Sequence, residues 1–138
     1  MFSVLCMSCD KYKCLIPAFN HCIDKYFPNH PKIEYVFGDD WWTKRLREKL
    51  EWMSEDYVLV LLDDMLIREP VKEDFIKDAI KTISEDEKVA VINFEQNYRP
   101  ANPYSENWLK QMQGQVYLHS SQPSLWRRKA LIDNLTKN

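Results

Sequence analysis

Six apolar residues in a row, Tyr57 to Leu62, stop on two adjacent carboxylates, Asp63 and Asp64. A run without a polar face predicts a strand buried on both sides, as in the interior of a parallel sheet. Phe2–Ser8 (FSVLCMS) predicts a first strand of the same kind, and Lys32–Gly38 (KIEYVFG) a second. Between them, Leu15, Phe19, Cys22 or Ile23, and Tyr26 recur at helical spacing within Cys14–Phe27, where Pro17 is tolerated in a first turn. Thr43 is placed to cap a helix over Lys44–Met53, with Leu46, Leu50 and Met53 on one face. Val71–Ile83 is amphipathic, with Phe75, Ile76, Ala79, Ile80 and Ile83 on its apolar side. Lys88–Phe94 predicts a fourth strand, Glu95–Trp108 a polar Pro-bearing loop and Gln115–Ser121 a fifth strand. A closing helix over Ser124–Leu135 is predicted behind a Ser124 cap.

Strands alternating with helices predict an α/β fold: a mostly parallel open sheet flanked by helices on both faces. With 138 residues the chain suits a single domain, residues 1–138. In open sheets of this class ligands sit outside the carboxyl ends of the strands, near a switch in strand order. That rule selects Ser8, Cys9 and Asp10 after the first strand, Gly38–Trp42 after the second, and Asp63 and Asp64 after the third.

Composition narrows the chemistry. Only two Gly are present, so neither a G-x-G-x-x-G turn nor a P-loop can be written, and a nucleotide must be held in another way. The net charge of −2 carries no global basic field for nucleic acid. No apolar stretch approaches the roughly 18 residues that cross a bilayer. The start "MFSVLCMSCDKYK" lacks a basic lead and a long apolar core, so the expected location is the cytoplasm. All four Cys fall within the first 22 residues. Cys6 and Cys9 have C-x-x-C spacing, but no second pair completes a zinc site, and reduced thiols in or near the core are expected.

Asp63 and Asp64 are hard oxygen donors of the kind that Mg²⁺ or Mn²⁺ takes alongside phosphate oxygens. Neighbouring strand residues point to opposite faces, so one acid is expected on the metal and the other on a ribose or a backbone N–H. Turn capping is the competing explanation. Ser8, Asp10 and Tyr12 offer a hydroxyl, a carboxylate and a ring to a nucleoside, or form an ordinary polar loop. One of Trp41 and Trp42 is expected in the core and the other in the wall of a pocket. The basic clusters "TKRLREK" and "WRRK" suit a diphosphate or a polyanion, or are solvated helix faces.

The strings "SVLCMSCDKY" and "GDDWWTKRLREKLEWMSEDYVLVLLDDMLIREPV" resemble the amino-terminal half of GT-A type glycosyltransferases. The resemblance is to a small bacterial and phage group with S-x-D-K-Y after the first strand (Ser8, Asp10, Lys11, Tyr12). That group continues with a helix bearing W-S/T-x-x-L (Trp42, Thr43, Leu46) and an acidic motif running into a Pro-Val helix start. The later "SSQPSLWRRKAL" is similar to the group's Q-A-G-L-W segment. The resemblance implies a Rossmann-like nucleotide-binding half and a nucleotide-sugar donor, UDP-linked by expectation. It further implies Mn²⁺ or Mg²⁺ on Asp64 with Asp63 in support, Ser8, Asp10 and Tyr12 by the nucleoside, Trp42 and Arg45 near the donor, and Gln122 beside the sugar. The acceptor is left open, with a phage or bacterial glycan or a modified DNA base as options.

Two features depart from that group: the acidic motif is D-D rather than D-x-D, and such enzymes are usually longer. The expectation is therefore of a minimal enzyme, of a donor-binding half completed by a homo-oligomer or a partner subunit, or of a remnant that binds without turnover. The alternatives are a non-catalytic GT-A-like binding or inhibitory module and a metal-dependent nucleotidyltransferase. No general base is assigned; Glu95, at the end of the fourth strand, is a candidate by position alone.

Overall fold

The computed structural model describes residues 1–38, 42–94, 101–111 and 123–135. In chain order the elements are β1 (Phe2–Ser8), a 3₁₀ turn (Asp10–Leu15), α1 (Ile16–Tyr26), β2 (Ile33–Phe37), α2 (Trp42–Trp52), β3 (Tyr57–Leu62) and α3 (Glu73–Glu85). They continue with β4 (Val91–Asn93), β5 (Ala101–Pro103), β6 (Leu109–Gln111), β7 (Ser124–Arg127) and α4 (Arg128–Leu135).

Five strands form one sheet in the order β2-β1-β3-β7-β4. β1 runs parallel to both its neighbours, with Met7 opposite Val36 on one side and Leu62 on the other. β7 is antiparallel to β3 and to β4, so the other four strands share one direction. The expected mostly parallel open sheet is present, with one reversed strand inside it. β5 and β6 pair as a separate hairpin.

Alternation along each strand divides the core into two layers. Val4, Cys6, Leu59, Leu61 and Leu125 face α1 and α3, packing on Phe19, Ile23, Ile76, Ala79 and Ile83. Leu5, Val36, Val58, Val60 and Trp126 face the other way, onto Leu46 and Leu50 of α2 and Leu131 of α4. The strands read as continuous apolar runs because both of their faces are covered.

Two expectations are corrected. Ser124–Leu135 is not one helix behind a Ser124 cap. Ser124, Leu125 and Trp126 are buried between β3 and β4 as strand β7, and the helix begins at Arg128. Burial on both faces overrides the helical spacing here, and the Ser124 hydroxyl accepts from Trp126 Nε1 at 2.9 Å instead of capping. The segment predicted as a loop contains β5 and the turn that leads into β6, and this hairpin docks on α3. Trp108 lies edge-on to Phe75 and Phe94, and its Nε1 donates to Asp78 Oδ2 at 2.7 Å. The strand predicted over 115–121 lies outside the described residues. Among the described residues no helix is long and apolar enough to cross a membrane.

Candidate functional site at the carboxyl ends of the strands

The path β1→α1→β2→α2→β3 fixes where a ligand crevice opens. From β1 the chain moves to β2 on one side, and then returns past β1 to β3 on the other. α1 and α2 lie on opposite faces of the sheet. The switch point therefore falls between β1 and β3, outside their carboxyl ends, where neither connection covers the groove. The residues at that point are Ser8 and Asp63.

These two side chains meet. Ser8 Oγ donates to Asp63 Oδ2 at 2.5 Å, and the Asp63 backbone N–H donates to Met7 O at 3.2 Å. The contact follows from register: Ser8 continues the face of Val4 and Cys6, and Asp63 continues the face of Leu59 and Leu61. Asp63 is 6% exposed, so its carboxylate is a buried acid with a fixed donor on one oxygen. Asp64, next in the turn, is exposed. The two acids thus differ as strand alternation predicts: one is anchored inward and the other is presented to solvent.

The acids reach electrostatically into the core. The Cys6 thiol is pushed up to about 12, first by burial and then by the negative charges of Asp63 and Asp64. The two carboxylates, not the burial, carry the negative charge at these strand ends, a field that favours a cation over a second anion.

The other expected site residues lie on the 3₁₀ turn after β1 and on the first turn of α2. Asp10 is exposed at the start of the 3₁₀ turn and is ion-paired with Lys13 three residues on. Tyr12 is 48% exposed, with Lys11 Nζ 5.5 Å from its ring centre. Trp42 opens α2 and is 45% exposed. It packs so close to Gly38 that a Cβ there would lie 3.1 Å from the Trp42 backbone, which explains a glycine at the end of β2. Arg45 donates from Nη1 to the Phe37 carbonyl at 2.9 Å, so it stands at the outer edge of β2. Gln122, Trp41 and Glu95 lie outside the described residues.

Within that set the structure joins Ser8 to Asp63, puts Asp64 beside them and leaves Arg45 on the far side of β2. Asn93, at the carboxyl end of β4, was not singled out from sequence. Its Oδ1 is buried without a hydrogen-bond partner among the described residues. The strand-end rule that selected Asp63 applies equally to Asn93.

The basic clusters have other roles. Arg47 pairs with Glu51, Lys49 with Glu34 and Lys44 with Glu48. In the second cluster, Arg127 and Arg128 are half-buried at the amino end of β3, opposite the acids.

A divalent cation is compatible with the donors present. Mg²⁺ is commonly held by one or two carboxylates together with substrate phosphates and water. Asp64 and the Asp63 oxygen that Ser8 does not bond provide that number. Among the described residues no group of three or more His, Cys, Asp or Glu converges, so the donor set does not resemble an all-protein cage.

No protein-family model matches the chain, and no curated protein does. Among solved structures the chain is similar to the bifunctional IspDF from Campylobacter jejuni, with a TM-score of 0.57 and 14% sequence identity. The alignment covers 99% of this chain and 43% of that one, so the chain spans less than half the length of that protein. At this identity the likeness shows the fold: a Rossmann-like α/β sheet, mostly parallel and open, with helices on both faces.

Proposed function

We propose that the chain binds a nucleotide sugar, UDP-linked by preference, together with Mn²⁺ or Mg²⁺ at the β1–β3 crevice, and transfers the sugar to an acceptor. The observation that carries this reading is the Ser8–Asp63 hydrogen bond across the switch point, with Asp64 exposed beside it. It supports a site built to hold one acid still while its neighbour meets a ligand.

Bound there, a divalent cation would neutralise charge on the departing diphosphate. The chain's own residues supply the rest. Ser8 fixes one Asp63 oxygen and leaves the other directed away from that bond. Asp64, free of the sheet, adjusts to complete the set. Tyr12 presents a ring from the loop after β1, suited to stacking on a base, and Asp10 a carboxylate suited to ribose hydroxyls. Arg45 lies too far toward the β2 edge to be first choice for the diphosphate while it bonds the Phe37 carbonyl.

A thermal-shift series with nucleotide sugars, with and without Mn²⁺, tests the proposal. A donor at ten times its Kd adds about 1.4 kcal/mol to stability, or about 5 °C for a chain of this size. The expected result is a shift that requires metal and is lost in Asp64→Ala, while the melting point of the unliganded variant stays within about 2 °C of the wild type. No shift with any donor sinks the reading. Release or transfer of radiolabelled sugar in the same samples separates an enzyme from a binding module.

A further inference from the structure

The Ser8–Asp63 hydrogen bond has a direction, and the direction carries chemistry of its own. A serine hydroxyl has one hydrogen and two lone pairs, whereas an ionised carboxylate only accepts. Ser8 Oγ stands 2.5 Å from Asp63 Oδ2 and 3.4 Å from its other acceptor, the Cys9 carbonyl. The carboxylate is nearer and charged, so it takes the hydrogen. With that hydrogen committed, Ser8 Oγ meets a ligand with lone pairs alone. Turning the hydrogen outward would strip a buried carboxylate of its donor, which is less favourable than the bond already made.

The groups on either side have the same polarity. The Gly38 N–H, beyond the end of β2, is spent on Ser8 O at 3.2 Å, and the Asp63 N–H, beyond the end of β3, on Met7 O at 3.2 Å. The second Asp63 oxygen and the Asp64 carboxylate are acceptors too. A bare phosphate oxygen set against Ser8 would therefore face lone pairs and negative charge. Two kinds of group fit this strand end: a cation, which the acids take, and an O–H or N–H, which Ser8 takes.

The nucleoside is the part of the ligand placed to supply that donor. Tyr12 lies four residues beyond Ser8, and its N–H donates to Cys9 O at 3.0 Å, which holds the turn against the end of β1. A base stacked on the Tyr12 ring keeps its nucleoside on the Ser8 side of the crevice. Ser8 itself is half-buried, a setting in which an acceptor left without a partner is costly.

We infer that Ser8 is a specificity-determining residue that accepts a hydrogen bond from the nucleoside, and that Asp63 positions it by holding the hydroxyl hydrogen. The inference rests on the nucleotide-sugar reading and narrows it: nucleotides with an O–H or N–H at that point bind, and those without one are rejected. A uridine nucleotide offers two such donors, a ribose hydroxyl and the imide N–H of the base.

Isothermal titration calorimetry in the presence of Mn²⁺ tests this by comparing UDP with 2′-deoxy-UDP, 3′-deoxy-UDP and N3-methyl-UDP. At least one analogue is expected to bind roughly tenfold or more weakly than UDP, because it leaves the Ser8 acceptor unpaired. A deoxy analogue in that place assigns the contact to the ribose, and N3-methyl-UDP assigns it to the base. In Ser8→Ala the same analogue should bind within about threefold of UDP, since no acceptor remains to lose its partner. A steric clash of the N-methyl group would persist in that variant. Ser8→Thr keeps a hydroxyl and should keep the discrimination. Asp63→Asn should shrink it, because the amide can donate to Ser8 Oγ and free the hydroxyl hydrogen. These are ratios of affinities in folded protein, so a general loss of stability does not mimic them. UDP binding that all three analogues match overturns the inference and leaves the proposed function standing. So does a discrimination that survives in Ser8→Ala. Failure of UDP and of every UDP-sugar to bind with Mn²⁺ overturns both.

Discussion

The two ends of the sheet carry opposite charges for different reasons. At the carboxyl end, Asp63 is buried with one fixed donor and Asp64 points to water. At the amino end, the arginines of "WRRK" are directed onto backbone carbonyls. Arg128 Nε donates to Glu55 O at 2.8 Å and Nη1 to Leu50 O at 3.0 Å. Arg127 Nη2 donates to Ile83 O and, at 3.3 Å, to Asp86 O. Leu50 and Ile83 lie in the last turns of α2 and α3, where carbonyls lack intrahelical partners and the helix dipole is negative. The arginines thus close two helix ends and pin them to β7. Charged pairs that look alike in sequence differ by what the chain places opposite them: backbone carbonyls make a clamp, and an open switch point makes a site.

Arg128→Ala tests the clamp most severely. Removing a half-buried guanidinium leaves Glu55 O and Leu50 O without their charged donor, a loss of about 2–3 kcal/mol. It should appear as a lower denaturation midpoint with an unchanged slope. Arg128→Lys should recover only part of this, since an ammonium lacks the fork that serves two carbonyls at once. Donor binding at the other end should persist in the folded fraction. A midpoint equal to that of the wild type would show that the amino end does not depend on the clamp.

A second effect, silent at neutral pH, runs from the site into the core. Cys6 is raised from 9.0 to about 12, so the folded protein keeps a thiol proton that the unfolded chain loses first. Its contribution is fully present below pH 9 and is lost as pH rises from there toward about 12, by at most about 1.4 kcal/mol per pH unit. Comparing stability against pH for the wild type and Cys6→Ala isolates this from other alkaline titrations: the difference between them should shrink above pH 9. Asp64→Asn should make the decline shallower, because part of the shift comes from its charge. Parallel curves for all three would remove the link between acids and core.

What could be read from the sequence divides along the same sheet. β1, β2 and β3 are apolar runs whose lengths and order suffice to predict parallel pairing, and the strand-end rule then selected Ser8, Asp63 and Asp64. β7 escaped because Leu125, Trp126 and Leu131 also fit a helical face, and only insertion between β3 and β4 decides the matter. The hairpin escaped because its flanks are short, polar and Pro-bearing, and the anchor of Trp108, Asp78, sits thirty residues earlier on α3. The clamp escaped for a related reason: its acceptors are carbonyls, which have no letter in a sequence. The Ser8–Asp63 bond joins residues 55 apart, so each was visible as a candidate but their pairing was not.

Glu34 gives the mildest test of whether charge or burial makes the amino end structural. It lies early in β2, and Lys49 holds its carboxyl below the usual range, mainly through a hydrogen bond; burial opposes this, and the charges of Lys49 and Lys32 add to the lowering. A depressed carboxyl contributes stability that is complete above its ordinary pKa and disappears as pH falls through the folded value. Lys49→Met should therefore leave the acid side of the stability curve flatter below the ordinary carboxylate range. At neutral pH the loss should be only about 0.5 kcal/mol, because both side chains remain about a third exposed. Titrating the Glu34 carboxyl by NMR in both proteins measures the shift directly. A midpoint unmoved by Lys49→Met would mean that the pair does not persist in solution. A loss as large as that of Arg128→Ala would mean that exposed charge stabilises this end as much as the half-buried clamp does.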